Sequence, residues 1–393
     1  MEKKSYLIFN FLLLTSFSSA LAGQEFIYPI AEVNDDLIMM VHQKAYDDLE
    51  LLLWDRHEGT ACRELTSMFI PSCVQLLPGK KAFSFIDRGR IRIKSFQKRA
   101  PRTIDIYEPI YGILLMKWLT DEQFYFVGKH YGKLSMFLCD TANRGSAIYC
   151  LTNRDGFDYV YPCKVNNNLF CVSKDPLQNY AIAMIEWSPR LYEKAESLDL
   201  ISKQVLIKHD KPLCFLEMEN ESLGFVLECL EYEQSSEFLS FSCLALNSIN
   251  DSWSLTKLFE FKIPSKFLIG TDKDRVYETI APFVPRYTQD WIYYVSYDDA
   301  SKNCTIQRYN RQLCTVEYLT DTSRSIADLS HVFSPLIIKD MLYCGYLFNE
   351  KTPSAFRGFN QKFMHVDPAT GIIRCRLPQV CLGATDHDCG CFG

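Results

Sequence analysis

Apolar and polar positions along this chain fall into one recurring unit. An apolar run is followed by a short polar turn and then by a second apolar run rich in aromatic and β-branched residues. The unit occurs seven times, with turns at Asn34-Asp35-Asp36, Gly79-Lys80-Lys81, Thr120-Asp121-Glu122, Asn166-Asn167-Asn168, Glu219-Asn220-Glu221, Thr288-Gln289-Asp290 and Lys339-Asp340. The runs that follow include Leu37 to Val41, Phe124 to Val127 and Trp291 to Val295. Their four or five residues are strand length, too short for helices. The hairpins recur every 41 to 69 residues. A strand-built repeat of about 40–50 residues predicts the blades of a propeller. The chain is therefore expected to be all-β: a β-propeller with seven four-stranded antiparallel blades. The long interval between the fifth and sixth hairpins leaves six or eight open.

The third unit shows a whole blade. Gly112 to Trp118 reads as an inner strand buried on both faces. Gln123 to Gly128, Lys133 to Cys139 and Ala147 to Leu151 follow, with polar turns and no helix between them. Such a meander cannot bury its own two faces, so neighbouring meanders must stack around an axis. Prolines support this arrangement. Tyr28-Pro29, Tyr161-Pro162, Val284-Pro285 and Ser334-Pro335 each precede a hairpin turn. Proline lacks a ladder donor and belongs on an edge strand, which is what the innermost strand of a blade is.

Leu151-Thr152-Asn153-Arg154-Asp155-Gly156-Phe157-Asp158-Tyr159-Val160-Tyr161-Pro162, running into Asn168 to Ser173, resembles the repeat of TolB-type propellers. Leu319-Thr320-Asp321, leading to Ser334-Pro335 and Asp340 to Tyr343, is similar. In that repeat a Leu-Thr ends one blade and a Pro opens the next; the family's Ser-Pro-Asp-Gly turn is not intact here. The resemblance implies the propeller fold and a general binding role, and assigns no individual residue.

The ends of the chain read differently. Lys3 and Lys4, the apolar stretch Leu7 to Ser19 and Ala20-Leu21-Ala22 form a signal peptide over residues 1–22. One propeller domain is expected over 23–380, and a Cys-rich tail over 381–393. No later stretch is long and apolar enough to span a membrane, so a secreted or periplasmic monomer is expected. The 22 tyrosines and 27 phenylalanines suit strands. The net charge of -6 gives no general attraction to nucleic acid. Export permits disulfides among the 16 cysteines. Cys139 with Cys150, Cys304 with Cys314 and Cys163 with Cys171 are candidate pairs within single blades.

Candidate chemistry is sparse. Arg88 to Arg102 is the sharpest charge feature, and Arg90, Arg92 and Lys94 alternate so as to share one strand face. With Lys98 and Arg99 they are the candidate binding residues for an anionic partner, a protein patch or an acidic glycan. A solvated outer face is the plainer explanation. Asp386-His387-Asp388-Cys389-Gly390-Cys391 carries metal-ligand types, but a disulfide-tied tail fits exported cysteines better. No metal or cofactor is expected. The Gly-x-Ser-x-Gly elbow, His-Glu-x-x-His and nucleotide-binding loops are absent from the sequence. Asp35, Asp121, Asp290 and Asp340 recur at equivalent turns, which argues for turn formation over glycosidase chemistry. Leu191 to Glu196 reads as a short helix in an insertion. The sequence favours a non-catalytic protein- or glycan-binding module; the alternative is a glycan or small-ester hydrolase working at the channel mouth.

Overall fold

The computed structural model describes residues 26–45, 48–55, 60–66, 74–87, 90–96, 101–104, 110–142, 147–152, 156–187, 190–191, 203–231, 237–265, 283–300, 303–318, 329–338, 341–348, 363–366, 373–376 and 379–380. The signal segment, Lys98, Arg99 and the tail 381–393 lie outside them.

Small antiparallel sheets form a ring, so the chain is a β-propeller. Blade one runs through Phe26–Glu32, Leu37–Ala45, Asp48–Asp55 and Thr60–Thr66. Blade two comprises Gln75–Leu76, Ala82–Asp87, Arg90–Ser95 and Arg102–Ile104. Blade three is Ile110–Trp118, Gln123–His130, Lys133–Asp140 and Ala147–Cys150, close to the order expected from its sequence. Blade four is Asp158–Val165, Asn168–Lys174, Tyr180–Glu186 and Lys203–His209. Blade five is Leu213–Met218, Leu223–Glu231, Phe238–Ile249 and Ser252–Pro264. Blade six is Arg286–Tyr287, Trp291–Asp298, Asn303–Asn310 and Thr315–Tyr318.

The ring has six blades, one fewer than the seven hairpins. The last hairpin, Leu329–Ile338 with Met341–Phe348, joins the sheet of blade one. Phe26 pairs with Leu347 and Ile27 with Tyr346, antiparallel. A hairpin count measures turns, and here the final turn extends an existing sheet. The pairing also covers a strand edge that would otherwise be exposed.

The inner strands are bent at bulges, and the prolines mark several of them. Register shifts fall between Pro29 and Ala31, across Tyr161-Pro162 and across Ser334-Pro335. Pro285 immediately precedes the inner strand of blade six. A bulge leaves a ladder position open, which accommodates the missing N–H. Tyr161 takes a φ of 53° at its bulge.

The core lies between blades. One cluster joins blades two and three through Ile86, Ile91, Phe124, Phe126 and Phe137. Others join three to four through Tyr125, Tyr159 and Leu169, and four to five through Phe170, Val226 and Leu246. The largest spans blades five, six, one and two, with Phe259 stacked on Tyr294 at 4.1 Å between centroids. Each sheet is thus buried on both faces. Burial of both faces explains the near-continuous apolar second strands, such as Phe124 to Val127.

The insertion after blade four's third strand begins as strand, not helix. Arg190–Leu191 pairs with the outer strand of blade three, Tyr149 opposite Leu191. The rest of the expected helix, 192–196, lies outside the described residues.

One buried polar contact ties blade two to blade three: Trp118 Nε1 donates to Ser84 Oγ at 2.7 Å. Ser84→Ala removes the acceptor and strands that N–H. The expected loss is about 1–3 kcal/mol by urea unfolding, and an unchanged midpoint would remove this contact from the account.

Candidate functional site

All the inner hairpin turns lie on one side of the disc, because each joins an innermost strand to its second strand. Their polar residues are turn formers. Asn34 Oδ1 accepts the Leu37 N–H at 2.8 Å, Thr120 Oγ1 the Gln123 N–H at 3.0 Å and Thr288 Oγ1 the Trp291 N–H at 3.2 Å.

The same turns are latched to one another. Gly79 N–H donates to Asp121 Oδ1 at 2.6 Å, linking blades two and three. Gly79 has no side chain that would push this carboxylate away. Asn166 Nδ2 donates to Glu221 Oε1 at 3.0 Å, linking blades four and five. Arg311 grips Glu219 in bidentate fashion at 2.8 and 2.9 Å and also donates to the Thr288 carbonyl at 2.9 Å, linking blades five and six. Lys80 stands 3.9 Å from Glu32 across blades one and two. The mouth of the channel is a preorganised rim.

Three charges lie just inside that rim. Lys117, Glu217 and Arg286 occupy matching ladder positions on the innermost strands of blades three, five and six, opposite Tyr125, Phe225 and Tyr293, while Glu32 and Lys164 lie one position nearer their turns. A chain of contacts places them at one depth. Lys117 lies opposite Tyr125 in the ladder, and the Tyr125 hydroxyl donates to the Pro162 carbonyl at 3.0 Å. Met218 N–H donates to the neighbouring Cys163 Sγ at 3.3 Å. Glu217 lies opposite Phe225, whose ring packs 5.0 Å from that of Tyr287, next to Arg286.

Their electrostatics agree with this placement. Burial pushes the Cys163 thiol up, and Lys117 opposes the shift more strongly than Glu217 adds to it. Burial likewise raises the Tyr125 and Tyr287 phenols. Burial lowers the Arg286 pKa from the ordinary arginine value, with Glu217 acting the other way. Arg286 is half-buried. Among the described residues, Lys117, Glu217 and Arg286 make no hydrogen bond through their side chains and no ion pair within 4.0 Å.

Sequence reasoning missed these three. Their signal was a charge interrupting an apolar inner strand, as in Leu-Leu-Met-Lys-Trp or Phe-Leu-Glu-Met. It favoured the basic strand of blade two instead. There Arg90 is exposed, as expected. Arg92 and Lys94 are half-buried, because the face they share with Phe83 and Phe85 packs toward blade one. Arg92 Nη2 pairs with Asp87 at 3.0 Å, and the Lys94 ammonium lies 5.8 Å from the Phe83 ring centre. Arg90, Arg92 and Lys94 belong to the second sheet's third strand, away from the channel-lining strands.

The expected disulfides are not formed among the described residues. Cys163 faces Phe170 in the ladder, so Cys171 points to the opposite side of the sheet. Cys314 lies beyond Asn310 at the far end of the strand that Cys304 begins, about 20 Å away at strand rise. Cys139 lies opposite Ile148, and Cys150 opposite Phe137, a diagonal and not a facing pair.

No protein-family model matches the chain, and no curated protein matches its sequence. Solved structures do resemble its fold. A puromycin-hydrolysing peptidase of Mycobacterium tuberculosis aligns over 93% of this chain and 55% of its own, with 10% identity and a TM-score of 0.58. A prolyl endopeptidase structure aligns over 94% of this chain and 52% of its own, with 9% identity and a TM-score of 0.53. The chain thus spans about half the length of these peptidases. TolB from Acinetobacter baumannii aligns over 75% of this chain and 63% of its own, at 9% identity and a TM-score of 0.43. At such identities the likeness concerns the fold alone, which is a propeller.

Two outcomes follow from the site's packing. A Cβ on Gly224 would sit 2.7 Å from the Glu217 carbonyl and 2.5 Å from Met218 Sδ. Gly224→Ala should therefore lower stability by about 1–3 kcal/mol in chemical unfolding, and a neutral result would mean this strand pair is looser than described. On blade two, Arg90→Glu should leave the unfolding midpoint unchanged. Arg92→Glu faces Asp87 and should lose about 1 kcal/mol; equal midpoints for the two variants would contradict the burial difference.

Proposed function

We propose that the chain is an exported, non-catalytic binding module whose rigid disc engages a macromolecular partner over the hairpin-side mouth of its channel. Residues 1–22 act as the signal peptide, 23–380 as the single binding domain, and 381–393 as a disulfide-tied tail. The partner is a protein or an anionic glycan, and the protein works as a monomer.

The observation that carries this reading is the trio Lys117, Glu217 and Arg286, charged groups inside a latched rim with no protein partner. A rim fixed before binding loses little conformational freedom when a partner docks. Charges that the fold leaves unpaired gain their electrostatic complement from the partner. The basic strand remains a second point of attachment in the proposal, with Arg90 presented to solvent and Arg92 and Lys94 behind it. Lys98 and Arg99 extend the same run in sequence. No helix among the described residues is long and apolar enough to cross a membrane.

The hydrolase alternative draws on the fold likeness to a puromycin-hydrolysing peptidase and a prolyl endopeptidase. It requires groups that act on a substrate bound in the channel.

The test is a pull-down with the purified chain against the exported protein and glycan fraction of its source, at low and moderate salt. A discrete partner that weakens as salt rises supports the binding reading. No partner under either condition, combined with turnover in a panel of glycans and small esters, would overturn it in favour of the enzyme.

A further inference from the structure

We propose that the channel holds a peptide carboxylate at Arg286, assisted by Lys117 and limited by Glu217. This subsite rests on the binding reading above and gives it a ligand chemistry.

Arg286 begins the innermost strand of blade six. Its strand, Arg286–Tyr287, is the inner edge of blade six and pairs on one side only, through Arg286 with Tyr293 and Tyr287 with Ile292. The Tyr287 ring is taken up by Phe225 of blade five. The guanidinium, in contrast, makes no hydrogen bond and no ion pair among the described residues. Compare Arg311, one turn away on the same rim, which is fully engaged with Glu219 and the Thr288 carbonyl. Compare also Arg308, whose Nη2 meets Glu317 at 2.8 Å and whose guanidinium lies 3.8 Å over the Trp291 ring. Among the described residues of blade six, Arg308 and Arg311 have side-chain partners and Arg286 has no hydrogen bond or ion pair.

A half-buried guanidinium has lost part of its hydration, so leaving it unmatched has a cost. Its planar fork matches a carboxylate through two parallel N–H···O bonds. Glu217 is near enough to interact through space and yet does not make that pair. It leaves the fork open and places a negative charge beside it, which discourages a densely charged anion such as a polysulfate. Lys117 adds a second cation from blade three at the same depth. The wall beside Lys117 is apolar, formed by Leu114, Leu115, Val127, Val160 and Tyr161. Such a wall suits the aliphatic part of a peptide better than the hydroxyl face of a sugar, whose polar groups would lose their partners there. The rim charges Lys117 and Arg286 thus point to a protein partner that inserts a carboxylate.

The experiment is calorimetric titration of the full chain with acetyl-Ala-Ala-Leu as the free acid, with the same peptide as its C-terminal amide, and with glucuronate. The free acid should bind at least about tenfold more tightly than the amide, the scale of one charge-assisted contact. Arg286→Gln should abolish that preference and Lys117→Gln should reduce it. Glu217→Gln should strengthen acid binding, because it removes a competing negative charge. A merely structural Arg286 would not couple its loss to the acid-versus-amide ratio. Circular dichroism on Arg286→Gln checks folding, and Arg286→Lys retains charge without the fork and should recover part of the preference. Equal affinity for acid and amide, or an unchanged ratio in Arg286→Gln, overturns the subsite. Glucuronate binding that depends on Arg286 without peptide binding overturns the peptide assignment. The pull-down separates the two levels: a partner retained by Arg286→Gln leaves the binding module standing and removes this subsite. An Arg286-dependent acid preference without any captured partner does the reverse.

Discussion

Burial of both faces of each four-stranded sheet is the constraint on which the rest of this structure depends. A single meander has two apolar faces and no means to cover either. Packing between successive blades supplies the cover, with Phe83 and Phe85 on one side of blade two and Ile86 and Ile91 on the other. The arrangement must close, because a terminal blade would expose an apolar face and an unpaired edge. The pairing of Phe26 and Ile27 with Leu347 and Tyr346 joins the two ends of the chain. Once the ring exists, the innermost strands become edges around a channel. Prolines and bulges are tolerated there, and charges can be placed there at the mouth.

The constraint also explains where charge is cheap and where it is costly. On the blade faces a basic residue must be compensated, as Arg92 is by Asp87. At the rim, charged groups act as latches between turns, and Glu219 with Arg311 is the best formed of these. Inside the rim the same groups would be expected to pair, yet Lys117, Glu217 and Arg286 do not. In the proposed reading, Arg286, left open beside arginines that the fold satisfies, takes its complement from a partner. The reading as a binding module follows from that contrast more than from the fold, since propellers serve many functions.

Much of the architecture was legible in the chain because the strand period, the turn residues and the inner-strand prolines all point the same way. Asn34, Thr120 and Thr288 announce turns by chemistry that operates within three residues. The blade count was less legible, because pairing of the last hairpin with Phe26 and Ile27 is a contact between chain ends. The exposure of the basic strand was only partly legible for a related reason. Alternation of Arg90, Arg92 and Lys94 shows that they share a face, but not that a neighbouring blade covers it. The Cys163–Cys171 pair failed on register, since one residue of offset turns Cys171 away from Cys163. The channel trio gave only a faint signal, three isolated charges in apolar strands, and acquires meaning when blades three, five and six are brought to one axis.

The most direct measurement is a crystal structure of the free protein in a buffer without carboxylates, refined to the point where the channel side chains and waters are resolved. The account predicts that the Arg286 guanidinium faces the channel, with its nitrogens more than 4.0 Å from the Glu217 oxygens and water completing its contacts. A direct bidentate pair between Arg286 and Glu217 would contradict it, because the fold would then satisfy its own charges and leave nothing in the channel for a partner to complete.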